Sequence, residues 1–358
     1  MNNNAIVITN GQLGKAPAKT AHGLVRGTSR FNIIGVIDGA AAGRDAGEVV
    51  DGKTRGIPVF ATLREAVQAL PTIDYCLIGV ATKGGVLPPD MKSFLENVLQ
   101  HGISIVNGLH EFLNEMPDMV ALARESGVQL IDVRRPKPRH ELHFWTGRIR
   151  EVTCPRVAVL GTDCNLGKRT TARFLTEACR EAGMKAEMIY TGQTGWMQGG
   201  NYGFVFDSTP NDFVSGEIEH AIVTCFEREK PDVMFIEGQS ALRNPSGPCG
   251  AEFLLSGGAR FVVLQHAPAR TYFDDNPVLA SPIPPLADEI NLIRIYGAEV
   301  MAVTLNTQGL TLAQARQYQQ QYEAELKIPV VLPLEDGVER IVPLVSSVVR
   351  SGQQQHTL

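Results

Sequence analysis

The sequence predicts an α/β protein of two domains, each built on a largely parallel sheet. Three observations carry that expectation. Short apolar runs alternate with helix-like stretches along most of the chain, the pattern expected where helices cover both faces of a parallel sheet. The alternation breaks at 134–155, a stretch holding Pro136, Pro138 and Pro155, and then resumes. At 358 residues the chain is long enough for two separate cores. The expected division is therefore 1–133, a connection at 134–155, a second domain at 156–345 and a polar tail at 346–358 that frays.

In the first domain, strands are expected at 5–9, 32–37, 75–80, 103–106 and 128–131, with helices at 18–26, 63–70, 90–101 and 118–126. Pro88-Pro89 and Pro117 stand at two helix starts, where a missing N–H costs least. The amino terminus reads as a first strand and not as a signal peptide, because no basic lead-in precedes its apolar run. The arrangement is Rossmann-like. Asp38 ends the second strand, where an acid holds a ribose in dinucleotide-binding domains. The first turn, Asn10-Gly11-Gln12-Leu13-Gly14-Lys15, lacks the GxGxxG spacing, so a structural or regulatory role outweighs nicotinamide binding.

In the second domain, strands are expected at 156–160, 185–190, 233–236, 261–264 and 300–304, with an edge strand at 328–332. Helices are expected at 168–182, 216–229, 250–256, 287–296 and 313–326. The first strand runs into Gly161-Thr162-Asp163-Cys164-Asn165-Leu166-Gly167-Lys168-Arg169-Thr170-Thr171, the strand, glycine-rich turn and helix order of a phosphate-binding P-loop. Backbone N–H groups, a helix amino terminus and the Lys168 ammonium would together favour a di- or triphosphate. Gly161, Thr162, Asp163, Asn165, Gly167, Lys168, Arg169, Thr170 and Thr171 are thus the candidate cofactor-binding residues. Five residues separate the two glycines, one more than usual, and Arg169 stands where a magnesium-binding hydroxyl normally follows the lysine. Thr170 or Thr171 would then supply that hydroxyl. A metal, if used, would sit between Thr170 and Glu237.

Glu237 ends a neighbouring strand, where a metal-binding or water-positioning carboxylate sits in such domains. Gly192, Gln193 and Thr194 follow another strand end, and Asp207 and Asp212 lie in the polar stretch beyond, as candidates for a substrate pocket. His266 closes a further strand. Arg243 and Arg270 are candidate carboxylate clamps, because a guanidinium fork matches two oxygens. The histidine pair of His140-Glu141-Leu142-His143 has no third ligand in view, so a metal site there is not expected.

Composition bounds the rest. A formal net charge of -5 gives no reason to expect a nucleic-acid partner, and the basic run 134–140 is short and proline-broken. No apolar run approaches the ~20 residues of a membrane span. The six cysteines form no CxxC pair, which suits a reduced, cytoplasmic protein. A homodimer is the default assembly.

With Asp38 and 41–47, the block 161–171, Gly192-Gln193-Thr194-Gly195 and Glu237-Gly238-Gln239, the chain resembles the D-glutamate N-acetyltransferase-like family over residues 5–345. That family joins a Rossmann-like domain to a P-loop domain. The second domain also resembles dethiobiotin synthetase, in its Gly-Thr-Asp loop opening and its strand ending in Glu-Gly. The family resemblance implies acetyl transfer from acetyl-CoA to the amino group of D-glutamate. Such chemistry requires a base, for which Glu237, Asp212 and His266 are candidates, and oxyanion donors, for which the backbone at 192–195 or Gly238 would serve. The alternatives are a kinase or ligase using ATP with magnesium, and a nucleotide sensor without turnover.

Overall fold

Apolar runs buried on both faces fix the strand positions, and in the structure, a computed structural model describing residues 3–355, they form two parallel sheets. The chain divides into two compact units. The first runs to Pro136 and takes in Gln193–Gly200; the second holds Lys137–Gly192 and the chain from Asn201 onward.

The first unit contains β1 (Asn4–Ile8), β2 (Asn32–Ile37), β3 (Val59–Phe60), β4 (Tyr75–Ile78), β5 (Ser104–Asn107) and β6 (Leu130–Asp132). Their order is β3-β2-β1-β4-β5-β6, the order of a dinucleotide-binding fold. The two-residue β3 and the short helix Ala46–Asp51 were not expected from apolar patterning. Asp45 starts that helix, its carboxylate accepting the Gly47 and Glu48 N–H groups. Asp38 does not present a free carboxylate to a ribose. It is 1% exposed and accepts hydrogen bonds from Thr9 Oγ1 (2.6 Å), Leu13 N (2.8 Å), Ala40 N (3.0 Å) and Ala41 N (3.1 Å). Its role is to hold the turns after β1 and β2.

The 193–200 segment is built into this unit. Met197 is fully buried in its core. Arg30 donates to the carbonyls of Trp196 and Gly200 at 2.7 and 2.9 Å and lies 4.2 Å from the Trp196 ring centroid. Gln198 Nε2 donates to the Gly23 and Gly27 carbonyls, closing the end of helix Lys19–Arg26.

The second unit contains β7 (Arg156–Gly161), β8 (Ala186–Tyr190), β9 (Tyr202–Gly203), β10 (Val233–Glu237), β11 (Phe261–His266), β12 (Glu299–Leu305) and β13 (Val330–Val331). Their order is β13-β12-β11-β7-β10-β8-β9. Strand β7 is central, and its register pairs Val159 with Glu237 and Gly161 with Gln265. The carboxyl ends of three adjacent strands therefore meet at one edge of the sheet, which is where open α/β sheets place ligands.

Three expectations need correction here. The stretch after Pro136 is part of the second unit, because two buried carboxylates on helix Asn211–Glu229 bind it. Glu217 accepts from Lys137 Nζ, His143 N and His143 Nδ1, and Glu219 from Thr146 N and Ile149 N. That helix begins five residues earlier than expected, placing Asp212 in its first turn. The polar tail is helical to Gln355, because Val345 and Val349 bury one face of the helix in the cluster that also holds Val338 and Ile341; residues 356–358 lie outside the described residues. No helix among the described residues is long and apolar enough to cross a membrane.

Candidate functional site: a phosphate loop under two arms

The turn between β7 and helix Lys168–Glu181 departs from ordinary backbone at Asn165 (φ 54°) and Gly167 (φ 103°). Glycine suits the second of these, since a Cβ there would be strained. Beyond the turn, Lys168 folds back over the loop. Its Nζ donates to Asp163 O at 2.6 Å and to Ser240 O at 2.8 Å. Burial pulls this ammonium down to about 8. Two carbonyls thus hold a desolvated cation over the phosphate loop.

Asp163 ties the loop to both neighbouring segments. Its fully buried carboxylate accepts from Arg270 Nη1 (2.7 Å), Asn244 Nδ2 (3.0 Å) and Asp274 N (2.9 Å). Asn244 belongs to the arm that follows β10, while Arg270 and Asp274 belong to the one after β11. Arg270 Nη1 also donates to Cys164 O at 2.6 Å. Asp163, Cys164 and Asp274 come close enough to suggest a cation site. The Arg270 guanidinium already neutralises Asp163, so a second cation there would face repulsion.

On the β10 side, Glu237 is buried and its Oε2 accepts from Thr191 N at 2.9 Å. Thr191 Oγ1 donates to Glu237 O at 2.7 Å, and Gln239 Nε2 donates to that hydroxyl at 2.9 Å. Burial pushes the Glu237 carboxyl up, opposed by Arg169, by the Thr191 and Gly192 amides and by Lys168. Gly238 lies so near β7 that a Cβ would sit 2.3 Å from Val159 O, so no larger residue fits without moving backbone. On the β11 side, His266 meets Thr162 Oγ1 at 2.9 Å through Nδ1 and Tyr322 Oη at 3.3 Å through Nε2. Burial lowers this imidazole to about 4, so it is neutral and engaged on both sides.

The sequence candidates thus separate. Gly161, Thr162, Asp163, Asn165, Gly167, Lys168, Arg169, Thr170 and Thr171 make one continuous turn and helix start, flanked by Glu237, His266 and Arg270. The Thr171 hydroxyl is not turned to a ligand, since it donates to Gln265 Oε1 at 2.6 Å beneath the sheet edge. Half-buried Thr170 is left as the hydroxyl nearest the lysine in sequence. Gly192 stays with this unit, whereas Gln193 and Thr194 belong to the other, where Thr194 Oγ1 meets Thr20 Oγ1 at 3.0 Å. Asp207 and Asp212 are exposed. Arg243 is committed through Nε to Glu289 Oε2 at 2.7 Å, and Glu289 is the residue the sequence reasoning missed. Its signal was available: Leu286, Glu289 and Ile293 share one buried helix face, and a carboxylate in an apolar stripe needs a reason.

A family model described as the DUF1611_C P-loop domain, a domain of unknown function, matches residues 143–342, and the DUF1611_N Rossmann-like domain matches residues 40–136. The chain is similar to a D-glutamate N-acetyltransferase of Tritonibacter scottomollicae, 30% identical over 281 residues, covering 76% of this chain and 81% of that protein. A D-glutamate N-acetyltransferase from a Pseudoalteromonas species is 28% identical over 273 residues, covering 74% and 79%. The crystal structure of a DUF1611-family protein from Anabaena variabilis covers 97% of this chain and 100% of that one, with 29% identity and a TM-score of 0.87.

Proposed function

From the premise that the chain belongs to the DUF1611 family, a Rossmann-like domain joined to a P-loop domain, we propose that it transfers the acetyl group of acetyl-CoA to the amino group of D-glutamate or a related amino acid. One observation carries this over a phosphotransfer reaction. The loop has a poised lysine, but the slot after it holds Arg169, and the Thr171 hydroxyl is bonded to Gln265. That donor set suits holding phosphates more than activating them. Coenzyme A carries a pyrophosphate and a 3′-phosphate, so a phosphate loop can bind it without hydrolysis.

In this reaction Lys168 exchanges its two carbonyl partners for phosphate oxygens, as a mobile point charge can. Arg169 adds a second cation, and Glu237 balances both while fixing the chain at Thr191 and Gly192. His266 supports the loop through Thr162. The names of the two curated relatives support the choice of acceptor.

Parallel calorimetric titrations with acetyl-CoA, CoA and ATP with magnesium test the proposal, alongside an assay of thiol release in the presence of D-glutamate. Binding of acetyl-CoA that Lys168→Ala abolishes, with D-glutamate-dependent thiol release, is the expected result. Binding of ATP with magnesium alone, with ADP formed on addition of a carboxylate substrate, would replace it with the kinase or ligase.

A further inference from the structure

The Arg243–Glu289 ion pair is incompletely made. Arg243 Nε and Glu289 Oε2 lie 2.7 Å apart, yet Arg243 Nη2 and Glu289 Oε1 are both buried and have no hydrogen-bond partner among the described residues. A guanidinium fork and a carboxylate ordinarily pair through two parallel bonds. Here one bond is made, and a donor of the same guanidinium and an acceptor of the same carboxylate are left over. Leaving buried polar atoms unsatisfied is costly, so the arrangement calls for a third group that offers both an acceptor and a donor.

The place is informative. Arg243 precedes Asn244, which donates to Asp163 of the phosphate loop, and its side chain is 29% exposed while that of Glu289 is 4% exposed. The pair therefore meets solvent only through other atoms of Arg243, so a ligand reaches Nη2 and Oε1 by displacing the arginine side chain, on a segment that Asn244 ties to the phosphate loop. An amino acid carries a carboxylate and an ammonium on one carbon, and it supplies the missing acceptor and the missing donor together.

We propose that Arg243 and Glu289 bind the head of the amino-acid acceptor, Arg243 Nη2 taking the α-carboxylate and Glu289 Oε1 taking the ammonium and then one of its protons. The assignment rests on the acyl-transfer function proposed above. In the step, the ammonium gives a proton to the Glu289 carboxylate. The resulting amine forms a C–N bond to the thioester carbonyl carbon as the C–S bond breaks. The second proton lost by nitrogen neutralises the departing thiolate, and Glu289 later returns its own to solvent. Burial raises the Glu289 carboxyl, and Arg243, the charged group facing it, lowers it in part; its helix neighbour Asp288 is exposed. A carboxylate raised in this way is better matched to an amine than an ordinary one.

Glu289→Gln, Glu289→Asp and Arg243→Lys in the full chain test this, with acetyl-CoA titration as the control for fold and loop. Glu289→Gln is expected to bind acetyl-CoA within about twofold of wild type and to lose at least ~100-fold in turnover, the range of a lost general base. The acidic limb of its pH profile should vanish, and Glu289→Asp should restore part of both. Arg243→Lys is expected to raise KM for D-glutamate more than it lowers kcat. Unchanged turnover in Glu289→Gln, or a fall with the pH profile intact, would overturn the proposal and leave a bridging water as the third group. Direct titration with D-glutamate alone separates the two levels of inference. Should wild type show no acetyl transfer, weaker amino-acid binding by Glu289→Gln still supports the head-group site, and equal or absent binding in both proteins refutes it.

Discussion

Raising the pH from 7 to 9 should weaken phosphate-ligand binding about tenfold, and the reason is the state of Lys168. Burial brings its ammonium from 10.5 to about 8 in the free protein. A bound phosphate favours the charged form and returns the group toward its ordinary range. At pH 7 roughly nine loops in ten already carry the proton, and at pH 9 roughly one in ten does. A ligand that requires the ammonium must then restore it, at about 1.4 kcal/mol, which is a factor of ten in affinity. Binding near pH 8 should also take up about half a proton per site, since half of the free lysines are neutral there. Calorimetry with CoA at pH 7, 8 and 9, repeated in two buffers of different ionisation enthalpy, measures both quantities. The 3′-phosphate adds little, because its second ionisation, near pH 6, is about nine-tenths complete at pH 7. An affinity flat from pH 7 to 9, with no buffer-dependent heat at pH 8, would refute the picture of a desolvated lysine waiting for phosphate.

Lys168→Met removes phosphate binding together with the cost of desolvating an ammonium, so thermal melts should show little loss in the ligand-free protein and no gain on adding CoA. For wild type the sign follows: the lowered ammonium lets the unfolded chain bind more protons between pH 8 and 10.5, so this group's contribution to stability rises with pH across that window. Asp163→Asn breaks a buried pair with Arg270 and should cost about 3–5 kcal/mol, read as a lower urea midpoint together with faster proteolysis of the arm after β11. Gly238→Ala forces a Cβ to 2.3 Å from Val159 O; a loss of at least ~2 kcal/mol in denaturant unfolding is expected, of the size of severe overpacking. Arg30→Ala removes two carbonyl contacts and the ring contact with Trp196, so Trp196 emission should shift to the red and the first unit should lose ~1–3 kcal/mol, measured in a Trp145→Phe background.

What the sequence made legible were features written in local order. Strand β7, the glycine turn and the helix after it follow one another without interruption, so the phosphate loop needed no tertiary knowledge. The Rossmann-like alternation of the first unit was likewise legible, although the two-residue β3 and the order of its six strands were not. Less legible were the features that depend on partners distant in the chain. Asp38 occupies the position of a ribose-binding acid, and only the turn it folds against, with Thr9 and Leu13 as donors, shows that its oxygens are occupied. Thr171 offers one of the two hydroxyls that could replace the one Arg169 displaces, yet Gln265, 94 residues away, takes it. Gly192 and Gln193 are adjacent in one motif and belong to different units. Arg243 was visible as a guanidinium able to clamp a carboxylate, while its partner Glu289 was hidden inside a helix. These cases share a cause: a side chain's chemistry is set by which of its hydrogen-bonding atoms remain open after folding, and residue type alone reports capacity. The phosphate loop escapes this limit because its donors are main-chain amides, whose direction is fixed by the bend itself. That difference explains why loop residues follow from spacing, whereas the proposed acceptor head-group site depends on two atoms left over by folding, Nη2 of Arg243 and Oε1 of Glu289, beside one hydrogen bond where a fork and a carboxylate can make two.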